Sequence, residues 1–352
     1  MRVVRSRLIP YRLPLRQPWR SAHGAMAERS GWLVSLESAN GLVGYGDCAP
    51  LPEAGTERAE DAGARLQTAL PALIGEEAET LLAHLDAAWM TMPAARCAIE
   101  TALIDLLAQR AGMPLARWLN PAASLAPRVN AAIGGLDAGT AARAVQALKE
   151  GFAVLKVKVG VGEPHSELHV LRRLADGLPP GAKLRLDANG AWEEVTARRF
   201  IDGLAELPVE ALEEPLAKAD FQALQRLQDV ARFSLALDES LAGAGRELCC
   251  DYLPVRRLVL KPMVLGGPLA AYELARRARR AGLECVATTT LDSAVGTWAA
   301  CHLAAALGND LAHGLATAAW LAEDVGNLPH FTDGRVRLDN RRCGLGFCRF
   351  AE

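Results

Sequence analysis

The sequence predicts an α/β chain: a (β/α)8 barrel of the TIM type preceded by an α+β unit. Three observations carry this. From about residue 127 a short apolar run followed by a helical stretch recurs about eight times, the rhythm of a parallel barrel. The segment before it reads as strands and then helices. Five charged residues, Lys158, Asp187, Glu213, Asp238 and Lys261, stand at or near the ends of successive apolar runs.

The first unit opens with an apolar-rich strand from Val3 to Leu13. Trp32–Glu37 and Leu42–Gly46 follow, joined by Ser38-Ala39-Asn40-Gly41, whose Asn-Gly pair signals a hairpin. Between them the polar stretch Arg16–Gly31 reads as a connection, and Arg16–Arg29, with Trp19, Arg20, His23 and Met26, as a mobile lid. From about 57 to 118 apolar residues recur at three and four positions, as at Leu66, Leu70 and Leu73 and again at Ile99, Leu103, Leu106 and Leu107. The barrel runs begin near Val129, Ala153, Leu184, Val209, Ser234, Val255, Glu284 and Asp310. An open doubly wound sheet is the alternative, but no GxGxxG follows the first strand. The expected division is 1–120, 121–320 for the barrel, and a tail over 321–352 that returns to the first unit.

Composition narrows the function. The 352 residues are 51% hydrophobic and 23% charged, as in an ordinary soluble protein. A net charge of -2 gives no electrostatic case for nucleic acid or an acidic membrane. No run is long and apolar enough for a bilayer span or a signal peptide, so a cytoplasmic location is expected. The cysteines are scattered without a CxxC pair and read as reduced. Nothing in the composition decides for or against a homo-oligomer.

The charged residues narrow it further. Buried charges are rare unless paired or bound to metal. In a barrel, the carboxyl ends of all strands share one face, where active sites lie. Adjacent strands are about 4.8 Å apart, so Asp187, Glu213 and Asp238 on consecutive strands would repel without a cation. An all-oxygen set suits Mg²⁺, or Mn²⁺. Each acid alone could instead cap the following helix. The chain is rich in Arg yet keeps Lys only at 149, 156, 158, 183, 218 and 261. Lys can give up its proton and Arg cannot. Lys156 and Lys158 alternate on one strand and point the same way, with Lys158 nearer the rim as a base. Lys261 reaches in from another strand. A metal on a substrate carboxylate, with an amine base, fits removal of a carbon-bound proton. The expected partner is a small-molecule carboxylate. Ser293 and Gly296 open a helix and could offer N–H groups to that carboxylate. His302 falls on an apolar helix face and reads as core.

These residues resemble the enolase superfamily, in its muconate-lactonizing subgroup. The likeness lies in Lys156-Val157-Lys158, Asp187-Ala188-Asn189-Gly190, Glu213-Glu214-Pro215, Asp238-Glu239-Ser240 and Lys261-Pro262. It implies a modified barrel capped by a domain drawn from both termini, and enolate chemistry with Mg²⁺ and a Lys base. Gly44–Pro52, including Leu51, is similar to the family's capping loop, with Asp47 where Glu is usual. Thr289–Gly296 resembles the seventh-strand turn, and His313-Gly314 the eighth-strand region. Within the subgroup the chain most resembles o-succinylbenzoate synthases of menaquinone biosynthesis. That implies syn dehydration of 2-succinyl-6-hydroxy-2,4-cyclohexadiene-1-carboxylate, with Lys158 as base, Lys261 as an ammonium over the enolate, and Asn189 supporting the metal. Thr289, Gly314, Trp19, Arg20 and Leu51 are then expected at the substrate. N-acylamino acid racemase, dipeptide epimerase, muconate cycloisomerase and a non-catalytic barrel are the competing readings. Dipeptide epimerases carry Asp-x-Asp at the eighth strand, and Asp310-Leu311-Ala312-His313 lacks it.

Overall fold

The computed structural model describes residues 1–350 apart from 22–23, 86–88, 90, 219, 245–249 and 251–252. Three antiparallel strands open the chain: β1 (Val3–Ser21), β2 (Gly24–Ser38) and β3 (Val43–Cys48). The Asn-Gly turn closes β2 on β3, with Gly41 at φ 79 and its N–H donating to Ser38 O. Gly46 lets β3 touch the helix Pro93–Arg110, because a Cβ there would stand 1.8 Å from Ala98 O. Val34, Leu36, Leu66, Ile99 and Leu103 form the core between these strands and helices, and Met263 of the barrel joins it.

The expected lid differs from a loop. β1 and β2 run on as a long hairpin, pairing Trp19 with Met26 and Arg20 with Ala25 past an irregularity between Pro14 and Trp19. The polar composition agrees with the exposure of Arg16, Gln17 and Pro18 on its first strand. His23 and the side chains of Trp19 and Arg20 lie outside the described residues.

Seven parallel strands make the barrel: β4 (Ala131–Gly135), β5 (Val154–Lys158), β6 (Lys183–Asp187), β7 (Val209–Glu213), β8 (Ser234–Leu237), β9 (Arg257–Leu260) and β10 (Glu284–Ala287). The eighth strand expected from Asp310 is not formed. His313 bridges Val129 and Gly314 bridges Thr288, so two residues close the curled sheet where a full strand was expected. Below the rim the interior is filled by charge as well as by aliphatics. Fully buried Arg185 donates to Glu210 at 2.6 Å, to Ala312 O at 2.8 Å and to Asn130 at 3.2 Å. Arg257 shares the same Glu210 oxygen at 3.0 Å. Buried charges paired this way keep their hydrogen bonds satisfied.

The first unit grips the barrel through the helix Pro93–Arg110, almost all of it buried. Arg96 binds Glu100 at 2.6 Å and also Gly266 O. Glu100 accepts from the N–H groups of Leu269 and Ala270, capping the helix Pro268–Arg280 from outside its own chain segment. Gly267 (φ 137) leaves room for this, since a Cβ would meet Glu100 at 2.0 Å. Asp105 accepts from Tyr45 N and from Leu345 N of the tail. The tail forms the hairpin of β11 (His330–Thr332) and β12 (Arg335–Arg337). It touches both regions, through Gly344 at Pro114 and Arg335 at Arg128.

His302 is the core residue the sequence suggests. Its Nδ1 accepts from Ala116 N–H and its Nε2 faces Leu345 O, both at 3.0 Å, which defines a neutral Nε2–H ring. Burial pushes its pKa down from 6.5 to about 4. The unfolded chain therefore binds a proton there before the folded one does. The contribution is complete above pH 6.5 and is lost as pH falls towards 4, by at most about 1.4 kcal/mol per pH unit. Urea melts between pH 7 and pH 4.5 should show a slope of this sign, and His302→Gln should reduce it to the share left by buried His313, whose pKa is pushed down to about 3.

Candidate active site

Each strand from β5 to β7 delivers its last residue to the rim. Lys158 pairs in register with Asp187, and Asp187 with Glu213. Glu213 pairs with Ala236, so Asp238 lies two residues further out, just past β8. One oxygen from each of Asp187, Glu213 and Asp238 lies within 4.8 Å of the others. All three are buried or nearly so, at 9%, 1% and 5% exposure. Three carboxylates that close, with no nitrogen or sulfur donor among them, fit a hard divalent cation such as Mg²⁺ or Mn²⁺.

The lysines divide unequally. Lys156 Nζ lies 2.8 Å from Asp187 and 2.5 Å from Glu213, so it bridges two of the acids rather than only backing Lys158. Burial would lower its pKa, but the surrounding carboxylates, Asp187 foremost, outweigh burial and hold it above the ordinary lysine value. Lys261 Nζ lies 2.6 Å from Asp238 and 3.9 Å from Glu239. Half-buried Lys158 has no ion pair among the described residues. Burial pushes the Asp187 carboxyl up, and Lys156 more than offsets it, leaving it below the usual range. For Glu213 burial prevails and the pKa is raised. Burial, only partly offset by Lys261, raises Asp238 to about 6.

The turns behind these residues are specific. Asn189 has φ 43, its N–H donates to Asp187 at 3.2 Å, and its amide donates to Glu239 at 3.1 Å. Asn189 thus links two acidic segments. Sequence reasoning missed two further carboxylates. Glu214, at φ 41, accepts from the N–H of Asp238 and of Ser240 and from the Ser240 hydroxyl, locking the segment that carries Asp238. Glu167 accepts from three consecutive N–H groups, Gly160, Val161 and Gly162, directly after β5. Such a nest of amides is an anion site filled from within the chain. The Glu-Glu pair at 213–214 was the available signal for the first. Nothing local signals the second.

The expected carboxylate-binding role of Ser293 is corrected. Its N–H donates to Asp47 Oδ2 at 2.9 Å, and the next amide, Ala294, donates to Asp324 at 2.7 Å. The start of the helix Ala294–Leu307 is occupied by the protein's own carboxylates. Gly296 is a packing requirement, since a Cβ there would lie 2.7 Å from Asp47. Asp47, in the expected capping loop, also accepts from the Tyr11 hydroxyl at 2.7 Å. Burial raises its pKa to about 7, with Asp292 adding to the effect. Thr289 shares a hydrogen bond with the Thr317 hydroxyl, and Gly314 packs its Cα against Thr288. Leu51 is half-buried, with its N–H held by Thr56 at 2.6 Å. A separate hollow of about 410 Å³, lined by Tyr272, Arg276, Arg279 and Asp310 among others, shares no residue with the acid trio. No helix among the described residues is long and apolar enough to cross a membrane.

Comparison with known proteins agrees with this arrangement. Residues 139–348 match the family described as enolase C-terminal domain-like, and residues 4–119 match the mandelate racemase / muconate lactonizing enzyme N-terminal domain. The o-succinylbenzoate synthase of Thermosynechococcus vestitus is 33% identical over 310 residues, 83% of this chain and 88% of that protein. The L-Lys-D/L-Arg epimerase of Methylococcus capsulatus is 31% identical over 350 residues, 95% of each. The crystal structure of a dipeptide epimerase from Methylococcus capsulatus, complexed with Mg and the dipeptide L-Arg-D-Lys, superposes with a TM-score of 0.90 at 30% identity over 99% of each chain. With both domains matched and the acids and lysines gathered on one rim, the chain belongs to the enolase superfamily.

Proposed function

We propose that the chain is a Mg²⁺-dependent lyase that dehydrates 2-succinyl-6-hydroxy-2,4-cyclohexadiene-1-carboxylate to o-succinylbenzoate. The observation that carries this is the inequality of the lysines. Lys156 and Lys261 each rest on carboxylates, while Lys158 reaches the same rim without one among the described residues. Asp187, Glu213 and Asp238 would hold Mg²⁺, whose charge stabilises the negative charge that builds on the substrate carboxylate as the neighbouring C–H bond breaks. Lys158 takes the proton from the carbon bearing the carboxylate. Its ammonium then returns a proton, on the same face, to the departing hydroxyl, which leaves as water and yields the aromatic ring. Lys261, held in place by Asp238, keeps a positive charge opposite. Identity to the Thermosynechococcus vestitus synthase supports the substrate.

Racemisation or epimerisation is the second reading, favoured by the epimerase relatives and by lysines on separate strands. Closure of the barrel by His313 and Gly314 moves its eighth position past Asp310–Ala312. A Cβ at Gly314 would meet the Thr288 hydroxyl at 2.4 Å, so an acidic side chain at that position would require Thr288 to shift. The test offers Mg²⁺-loaded protein the cyclohexadiene acid and, separately, N-succinyl amino acids and dipeptides in D₂O. Dehydration without deuterium entering the amino acids is the expected result. Rapid exchange with loss of chirality, and no dehydration, overturns the proposal in favour of the second reading.

A further inference from the structure

One guanidinium on β2 joins the stretch after β3, whose Ala49 N–H meets Met263 two residues past Lys261, to the turn after β10. Arg29 lies on β2 at the base of the long hairpin, opposite Leu13 of β1. It is 3% exposed. Its Nε donates to Leu291 O at 3.0 Å, Nη1 to Pro50 O at 3.0 Å and Nη2 to Ala49 O at 2.7 Å. Each of these hydrogen bonds goes to a backbone carbonyl, so Arg29 fixes the path of two loops, and its charge also acts on buried Asp292 in the second of them. Ala49-Pro50 leads directly into Leu51. Leu291 belongs to the turn that follows β10 and carries Thr289.

That turn does not hold its shape unaided. Leu291 sits at φ 60, in the left-handed region that a branched side chain avoids. Asp47, one strand further on, holds the same turn through Ser293 N–H. Arg29 and Asp47 therefore clamp the turn from β2 and β3, and Arg29 adds the base of the hairpin and the Leu51 segment. A lysine cannot replace the fork, because one ammonium cannot span three carbonyls fixed around a planar group.

We propose that Arg29 is a positioning residue for the substrate: it ties the hairpin base, the Leu51 segment and the Thr289–Ser293 turn into one wall. Substrate binding depends on it and metal binding does not, because none of its partners is an acid of the trio. The kinetic part rests on the reaction proposed above, and the binding part does not.

The experiment compares wild type with Arg29→Lys and Arg29→Gln. It measures KM and kcat with the cyclohexadiene acid, Mn²⁺ affinity by electron paramagnetic resonance, and tryptic cleavage of the hairpin with and without o-succinylbenzoate. KM is expected to rise about tenfold with kcat unchanged, the mark of lost ground-state binding. Mn²⁺ affinity stays as in wild type, and protection of the hairpin by o-succinylbenzoate is lost. Unchanged KM and protection overturn the proposal. So does a parallel loss of Mn²⁺ binding, which marks Arg29 as general scaffolding. If o-succinylbenzoate fails to protect wild type, the proposed reaction falls. The N-succinyl amino acid or dipeptide that exchanges deuterium then serves as the protecting ligand, and the same comparison decides the role of Arg29.

Discussion

Replacing Lys158 by Ala is expected to lower kcat by about 10²- to 10⁴-fold, the range general bases contribute. The reason is positional. Lys158 pairs in register with Asp187, so its side chain leaves β5 beside the acids, yet no carboxylate among the described residues pairs with it. Lys156 cannot substitute, because its ammonium is committed to Asp187 and Glu213. The strand itself is secured by Leu155 and Val157, both fully buried, and by Glu167 beyond it. Loss of one amine should leave the fold and Mn²⁺ affinity intact. Circular dichroism, Mn²⁺ titration and turnover on the same preparation check this. A variant that keeps wild-type turnover removes Lys158 from the role of base.

Chelation should have the second large effect. EDTA is expected to abolish turnover and Mg²⁺ or Mn²⁺ to restore it, because three buried carboxylates within 4.8 Å are suited to a divalent ion. The chelated protein should remain folded, since Lys156 and Lys261 already offset part of the acidic charge. Saturating metal should then add stability, about 2.7 kcal/mol at a hundred times its Kd. Thermal melts with and without EDTA give both readings. Full turnover after exhaustive chelation overturns the metal assignment.

The acid trio and the lysines were legible because each depends on local information. A charge at the end of an apolar run is a strand-end residue, and parallel strands bring such residues to one rim. The β4–β10 repeat was legible for the same reason. What escaped depends on distant partners. Ser293 at a helix start looks free to bind an anion until Asp47, 246 residues away, is seen to occupy its amide. The segment near Asp310 looks like a strand, yet the sheet needs only His313 and Gly314 to close. Arg16–Arg29 looked like a loop because its polar sequence shows no alternation, whereas backbone pairing of Trp19 with Met26 and Arg20 with Ala25 makes it a hairpin. Arg96, Glu100 and Asp105 sit in a helix with no polar face, and periodicity cannot reveal that each anchors another segment.

Glu100 also bears on how this architecture can be recombined. The first turn of the helix Pro268–Arg280 finds its cap on a residue some 170 positions earlier, and Arg96 holds the carbonyl of Gly266 only five residues after Lys261. A chimera that grafts this barrel beneath a relative's N-terminal portion would strip both supports from the stretch leading away from that lysine. Successful exchanges would therefore transplant the helix Pro93–Arg110 along with the barrel, making that helix part of the heritable unit of catalysis although it lies in the other domain's sequence.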